Sequence, residues 1–110
     1  MSDKNMNNEA FIIYNVTTHV AHSIHEAWVE WMQQKHIPEI MEKGCFIRYQ
    51  FVKILELDET EGVTYAVQFF AESKAAYNRY IDLYAPALRE DALKSWGNKI
   101  VGFRSLMQVV

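Results

Sequence analysis

Residues 11–20 read FIIYNVTTHV. The even positions, Ile12, Tyr14, Val16, Thr18 and Val20, form a nearly apolar row, while the odd positions run Phe11, Ile13, Asn15, Thr17 and His19. Alternation with a period of two marks a strand with two different faces. One face is expected to meet helices. The other carries a line of polar groups, and the rest of the chain decides what covers it.

Working outward, Ser23 stands three residues before Glu26, the capping-box spacing, so a helix is expected to start there. Ile24, Trp28, Trp31 and Met32 recur at helical spacing and give it one apolar stripe. Pro38 lacks an N–H and clashes with the preceding turn, which predicts a kink or restart over 36–39; Gly44 then stops the helix. Cys45 to Leu57 reads as a long strand with a bulge near 52–55. Asp58 to Glu61 begins an acidic hairpin connection, and Val63 to Ala71 returns as a strand. Ser73 caps a second helix with Tyr77, Tyr80, Ile81 and Tyr84 on its stripe; Pro86 interrupts it and Gly97 ends it. Lys99 to Val109 is the last strand, and residues 1–9, MSDKNMNNE, are expected to be a disordered tail.

The element order is therefore strand, helix, strand, strand, helix, strand. A split pair of β-α-β units closes this order most simply: an α+β, ferredoxin-like βαββαβ domain over residues 10–110, with a four-stranded antiparallel sheet and both kinked helices on one face. The opposite face is then bare. It is expected to mix Phe11, Ile13, Ala66, Phe70 and Leu106 with Asn15, Thr17, Gln68 and Arg104, more apolar area than water alone accommodates. A homodimer packed sheet against sheet is the economical answer, with Asn15, Thr17, Gln68 and Arg104 as interface candidates.

Composition narrows the function classes. At 110 residues, 50% of them hydrophobic, the chain suits one domain that buries roughly two-thirds of its unfolded surface. A net charge of -3 disfavours nucleic acid and anionic membranes as partners. No apolar run approaches the roughly 20 residues of a membrane span, and the opening residues lack a signal-peptide core. Cys45, the single cysteine, fits a reducing cytoplasm.

The run YNVT from Tyr14, the helix HEAWVEWMQQKHIPEIMEKG from His25, the hairpin LELDETEGVTYAVQFF from Leu55, and YAPALREDALKSWG from Tyr84 with VGFR from Val101 resemble a small bacterial family of unknown function. That family is similar to the dimeric α/β-barrel superfamily, which includes cofactor-independent, antibiotic-biosynthesis-type monooxygenases and haem-degrading enzymes. The resemblance implies the fold and the dimer. Haem-degrading members have a first-strand asparagine, matched here by Asn15, but also a third-strand tryptophan and a second-helix histidine. Phe69 and Phe70 occupy the third strand and the second helix has no histidine, so no haem cofactor is expected.

Tyr14, Trp28, Trp31, His36, Tyr65, Tyr80 and Tyr84 are the ligand-pocket candidates, converging beneath the first helix as an aromatic cavity with few polar handles. Aromatic residues at helical spacing are more often plain core. His36 is either a general base or an imidazole bonded to a carbonyl freed at the kink. His19, His22 and His25 lie close in sequence, but a strand, a loop and a helix start aim side chains in different directions, so no metal site is expected. Cys45 has no histidine partner in sequence and reads as structural. No phosphate loop, Ser-His-Asp order or carboxylate pair appears. Two functions remain: a small dimeric binding or accessory protein for an apolar or aromatic small molecule, and a cofactor-independent oxygenase or isomerase.

Overall fold

The structure, a computed structural model, describes residues 11–110; the tail expected over residues 1–9 lies outside the described residues. Ile12–Ala21 forms β1, followed after the first helical arm by β2 (Arg48–Lys53), β3 (Gly62–Ala71) and, after the second arm, β4 (Ile100–Gln108). The sheet order is β2-β3-β1-β4, with every pairing antiparallel. β1 and β3 are thus the central strands, as the split β-α-β topology requires.

Strand register fixes the two faces. Asn15 pairs with Gln68 on one side and Ser105 on the other, and Thr17 with Ala66 and Phe103, so these groups share the open face. Val16 pairs with Arg104, and Tyr14 with Leu106. Arg104 and Leu106 therefore lie on the helix-covered face, which corrects their expected place on the bare one. The residues of IVGFRSLMQ are apolar at both parities, so alternation within β4 carried no information about its phase. Val101, Phe103, Ser105 and Met107 take the open face instead.

The first arm departs from its sequence reading at both ends. His22–Ile24 makes a 3-10 turn before helix α1 (His25–Trp31), and no side chain caps either segment. Ser23 is consumed by the turn, so its capping box with Glu26 does not form. At Met32–His36 the helix widens into a π turn and runs on into α2 (Ile37–Glu42), with Pro38 in its first turn. A widened turn accommodates a proline that has no N–H to give, and the expected break becomes a continuous but dilated helix. Gly44, at φ 77, ends the arm in the left-handed conformation.

Cys45 and Phe46 drop into the core before the chain joins the sheet, where the Ile47 N–H donates to the Phe70 carbonyl at 2.8 Å. β2 is consequently shorter than the expected span over 45–57. Its pairing with β3 is regular from Arg48 to Lys53, so the broken alternation near Val52 marks the strand's end, with Glu56 at φ 63 in the turn that follows. In the second arm, Ser73 caps α3 (Lys74–Leu83): its Oγ accepts from the Ala76 N–H at 3.1 Å. The chain breaks at Tyr84 and resumes as α4 (Ala85–Trp96), with Pro86 in its first turn and Gly97 beyond its end.

Both arms pack on one sheet face. Trp28, Met32, Ile37 and Ile40 meet Tyr80, Ala85 and Leu88 over Ile12, Tyr14, Val20, Val67 and Phe69. On the open face Asn15, Thr17, Ala66 and Phe70 are already buried among their neighbours, and the Arg48 guanidinium lies 3.7 Å from the centre of the Phe70 ring. Phe103 and Val101 on the edge strand remain 62% and 67% exposed, which leaves an apolar margin beside a buried polar centre. Among the described residues no helix is long and apolar enough to cross a membrane.

Gly62, opposite Ala21 at the start of β3, is set so close to β1 that an added Cβ would stand 2.3 Å from the Val20 carbonyl oxygen and 2.9 Å from the His19 ring. Backbone cannot yield there as a flexible side chain would. Gly62→Ala is expected to destabilise the domain by about 1–3 kcal/mol, the cost of overpacking. Urea denaturation measures it, and an unchanged midpoint would contradict this close approach.

Candidate functional site

A cavity of about 370 Å³ lies between the helical arms and the β1–β4 half of the sheet. Tyr14, Trp28, Trp31, His36 and Tyr80, five of the seven residues expected to form a pocket, line it. Its floor comes from even-numbered β1 residues, Tyr14, Val16 and Thr18. Its roof comes from α1, the π turn, α3 and α4. The mouth is marked by exposed Leu93, Gly97, Gly102, Phe103 and Arg104.

Tyr14 anchors the aromatic wall. Its ring stacks on Phe46 at 6.1 Å between centroids and lies 5.6 Å from Tyr77 and 5.8 Å from Tyr80. Such offset and tilted contacts suit ring quadrupoles and fix each ring's orientation. The Tyr14 hydroxyl accepts from an Arg89 guanidinium nitrogen at 3.1 Å, which ties the floor to α4. On the other side, His36 stacks on Trp31 at 4.5 Å, and Trp31 meets the edge of Trp96 at 5.7 Å.

Two expected members stand elsewhere. Tyr65 packs on Trp28 and Phe51 and hydrogen-bonds to His25, which holds its hydroxyl at the start of the first arm. Tyr84 sits at the break between α3 and α4 beneath the Lys43 ammonium, 5.4 Å from its ring centre. Neither lines the cavity. Arg104 does, a consequence of its helix-side register, while Asn15, Thr17 and Gln68 sit on the open face.

The polar groups that face the cavity are few. Burial lowers the His36 pKa, against a weaker upward pull from the Asp91 and Glu39 carboxylates, so its imidazole is biased to the neutral form. Its Nδ1 is buried with no hydrogen-bond partner among the described residues, which replaces the expected bond to a carbonyl at the kink. Burial also raises the Tyr80 phenol well above its ordinary range, with Tyr14 adding to the shift and Arg89 and Arg104 opposing it. Tyr80 is therefore a neutral donor at physiological pH.

Arg89 escaped the sequence reading, because an arginine directly after the apolar Leu88 looks like the solvated edge of a helix stripe. The signal was its place on that flank, close enough to the buried face for a long side chain to reach inward.

The clustered histidines do not converge. His19 pairs with the Thr64 hydroxyl at 3.1 Å, His22 donates to the Glu59 carbonyl at 2.6 Å, and His25 turns to Tyr65. A group of metal-ligand type does form from His36, Glu39 and Asp91, whose candidate atoms lie within 4.8 Å of one another. Lys35 already supplies the positive charge there, its Nζ standing 3.1 Å from both carboxylates. Cys45 is buried, its Sγ 3.9 Å from the Lys43 carbonyl, as a structural thiol would be.

Comparison with known proteins places this geometry in context. No curated protein matches the chain. Among solved structures, a monooxygenase from the ActVA-Orf6 gene of Streptomyces coelicolor, in complex with nanaomycin D, is 20% identical, with 96% of this chain and 93% of that one covered and a TM-score of 0.63. A dimeric ferredoxin-like protein from an uncultured marine organism is 12% identical, with 92% and 96% covered and a TM-score of 0.65. SnoaB, a cofactor-independent oxygenase from Streptomyces nogalater, is also 12% identical, with 89% and 92% covered and a TM-score of 0.63. At these identities the likeness is one of fold: a four-stranded antiparallel sheet with its helices on one face, as in ferredoxin-like and antibiotic-biosynthesis-monooxygenase-like proteins. The model of a domain of unknown function, DUF4286, matches residues 11–110, and the chain therefore belongs to the DUF4286 family.

Proposed function

We propose that the protein is a small homodimeric binding or accessory protein whose cavity holds an apolar, aromatic small molecule. The observation that carries this reading is the cavity itself, about 370 Å³ walled by Tyr14, Trp28, Trp31 and Tyr80. A plain core at native packing density leaves no such space, and few, well-placed polar groups in an aromatic cleft are the usual character of a small-molecule site. The net charge of -3 argues against nucleic acid as the partner, and buried Cys45 suits a cytoplasmic setting.

The homodimer rests on the open sheet face. Asn15 spends one donor on the Thr17 hydroxyl at 3.0 Å and is flanked by Gln68 and Ser105, while exposed Phe103, Val101 and Met107 form an apolar margin on β4. A second copy packed on this face covers the margin and offers partners to the polar centre. One of the structural neighbours is described as a dimeric ferredoxin-like protein.

A second reading, a cofactor-independent oxygenase or isomerase of the dimeric α/β-barrel type, is favoured by His36. A neutral imidazole at the cavity wall with an unpartnered buried nitrogen has the protonation state a general base needs. SnoaB, of the same fold, is a cofactor-independent oxygenase. Proton abstraction from an aromatic substrate is the step His36 would perform.

Three measurements test these readings. A planar aromatic ligand at a hundredfold excess over its Kd is expected to stabilise the protein by about 2.7 kcal/mol, which raises Tm by roughly 10 °C or more; a panel including haem that produces no shift removes the binding reading. Asn15→Leu is expected to raise the dimer dissociation constant about tenfold without altering ligand affinity, as read by analytical ultracentrifugation. A monomeric wild-type protein refutes the interface. Because the folded-state His36 pKa is depressed, the unfolded chain binds more protons in the window below about pH 6.5. His36 thus contributes stability that is present above that pH and lost as pH falls. His36→Phe, which keeps a ring on Trp31, is expected to lose less stability than the wild type between neutral and mildly acidic pH; parallel pH profiles from denaturant melts would show the imidazole to be unperturbed.

A further inference from the structure

We propose that the ligand of this cavity is an organic anion, a planar apolar body bearing a carboxylate held by Arg89 and Arg104. The proposal deepens the binding reading above and rests on it. Among the described residues twenty line the cavity, and they include two arginines but no aspartate or glutamate. Arg89 is half-buried; one terminal nitrogen is spent on the Tyr14 hydroxyl, and its Nε is buried with no acceptor among the described residues. Buried donors are ordinarily paired, and a half-buried guanidinium without a counter-charge is costly to keep.

The carboxylates near Arg89 are otherwise engaged. Asp91, two residues along α4, is drawn to Lys35 at 3.1 Å, and Glu90 faces Lys94 at 3.5 Å. Among the described residues the ion pairs involve Lys35, Lys53 and Lys94, and neither cavity arginine takes part. Arg89 enters from α4 in the roof, whereas Arg104 stands on β4 at the mouth, opposite Val16 of the floor. An anionic group between them meets positive charge from both walls.

Planarity selects the rest of the molecule. The guanidinium fork matches a carboxylate with two parallel hydrogen bonds, and a carboxylate is small enough to leave the aromatic walls for the body of the ligand. Trp31 stacked on His36, Trp28 and the Tyr14–Tyr80 pair provide flat apolar surface. The neutral imidazole of His36 adds no repulsion toward an acid. The chemical class is thus an aromatic or polycyclic carboxylate.

The test is calorimetric titration of the intact protein with 2-naphthoate and with its uncharged near-isostere 2-naphthamide, near neutral pH and at low salt. The wild type is expected to bind naphthoate at least tenfold more tightly than naphthamide. Arg89→Gln and Arg104→Gln are each expected to erase that preference, with naphthoate weakened roughly ten- to a hundredfold and naphthamide changed by less than about twofold. Equal affinities in the wild type overturn the anion proposal and leave the apolar cavity standing. Failure of both compounds to bind overturns the proposal and the cavity reading together. If Arg89→Gln does not fold, as judged by circular dichroism, Arg104→Gln decides, because Arg104 is exposed at the mouth. Retention of the full preference by that variant also overturns the two-arginine clamp.

Discussion

β1 is hydrogen-bonded along both edges, to β3 and to β4, and this double pairing leaves its side chains no freedom of phase. A slip of one residue would carry Tyr14, Val16 and Val20 to the open face and Asn15 and Thr17 into the core. The penalty at both faces locks the register, and the neighbouring strands inherit it. Tyr14 is directed beneath the helices for this reason. So are Val67 and Phe69 of β3, which pair with Val16 and Tyr14, and Arg104 of β4. The cavity floor and the polar centre of the open face are therefore two consequences of one alignment.

The arms are less tightly determined. They share an apolar layer with the sheet, but the oriented pairs that join them beside the cavity are few: Trp31 of the first arm with Trp96 of the second, and Lys35 bridging Glu39 of α2 and Asp91 of α4, while Arg89 of α4 reaches the Tyr14 hydroxyl on the sheet. The exposed lysine bridge contributes little stability by itself, since surface ion pairs are screened by water and salt. Its position matters more than its strength. It joins the first arm to α4 and gives the Asp91 carboxylate a cationic partner.

How much of this was legible in the sequence depended on whether a local pattern had one solution. The alternation of β1 and of β3 has one, and the order of elements left a single simple topology, so the sheet, its central strands and five cavity residues followed from periodicity. Ser73 with its free Oγ behaved as its spacing suggested. Ser23 did not, because the chain tightens into a 3-10 turn directly after Ala21, a choice made by how the arm must drop onto the sheet. β4 defeated parity, since Val101, Phe103, Leu106 and Met107 are apolar on alternate and adjacent positions alike, and only pairing with β1 assigns Arg104 its side. Tyr65 and Tyr84 shared the helix-side pattern of the cavity residues, but Tyr65, although level with Thr18, turns to Phe51 and His25, and Tyr84 lies past the last residue of α3. Lateral place in the sheet and choice of neighbour are invisible to periodicity.

The π turn at Met32–His36 has a consequence for how this chain can vary in length. Buried positions along the first arm fall at Trp28, Met32, Ile37 and Ile40, with a five-residue interval where an unbroken α-helix would place three or four. Each residue advances an α-helix by about 100°, so the widened turn acts as a phase corrector that returns Ile37 and Ile40 to the sheet. Loss of one residue from this segment would shorten that interval to four, about 400° of ideal α-helix, so the turn would close to α-helical bonding with Ile37 and Ile40 still facing the sheet. Closing the widened turn at its present length would instead swing everything up to Glu42 off the core, so the dilation is what lets the arm carry one residue more than its register needs.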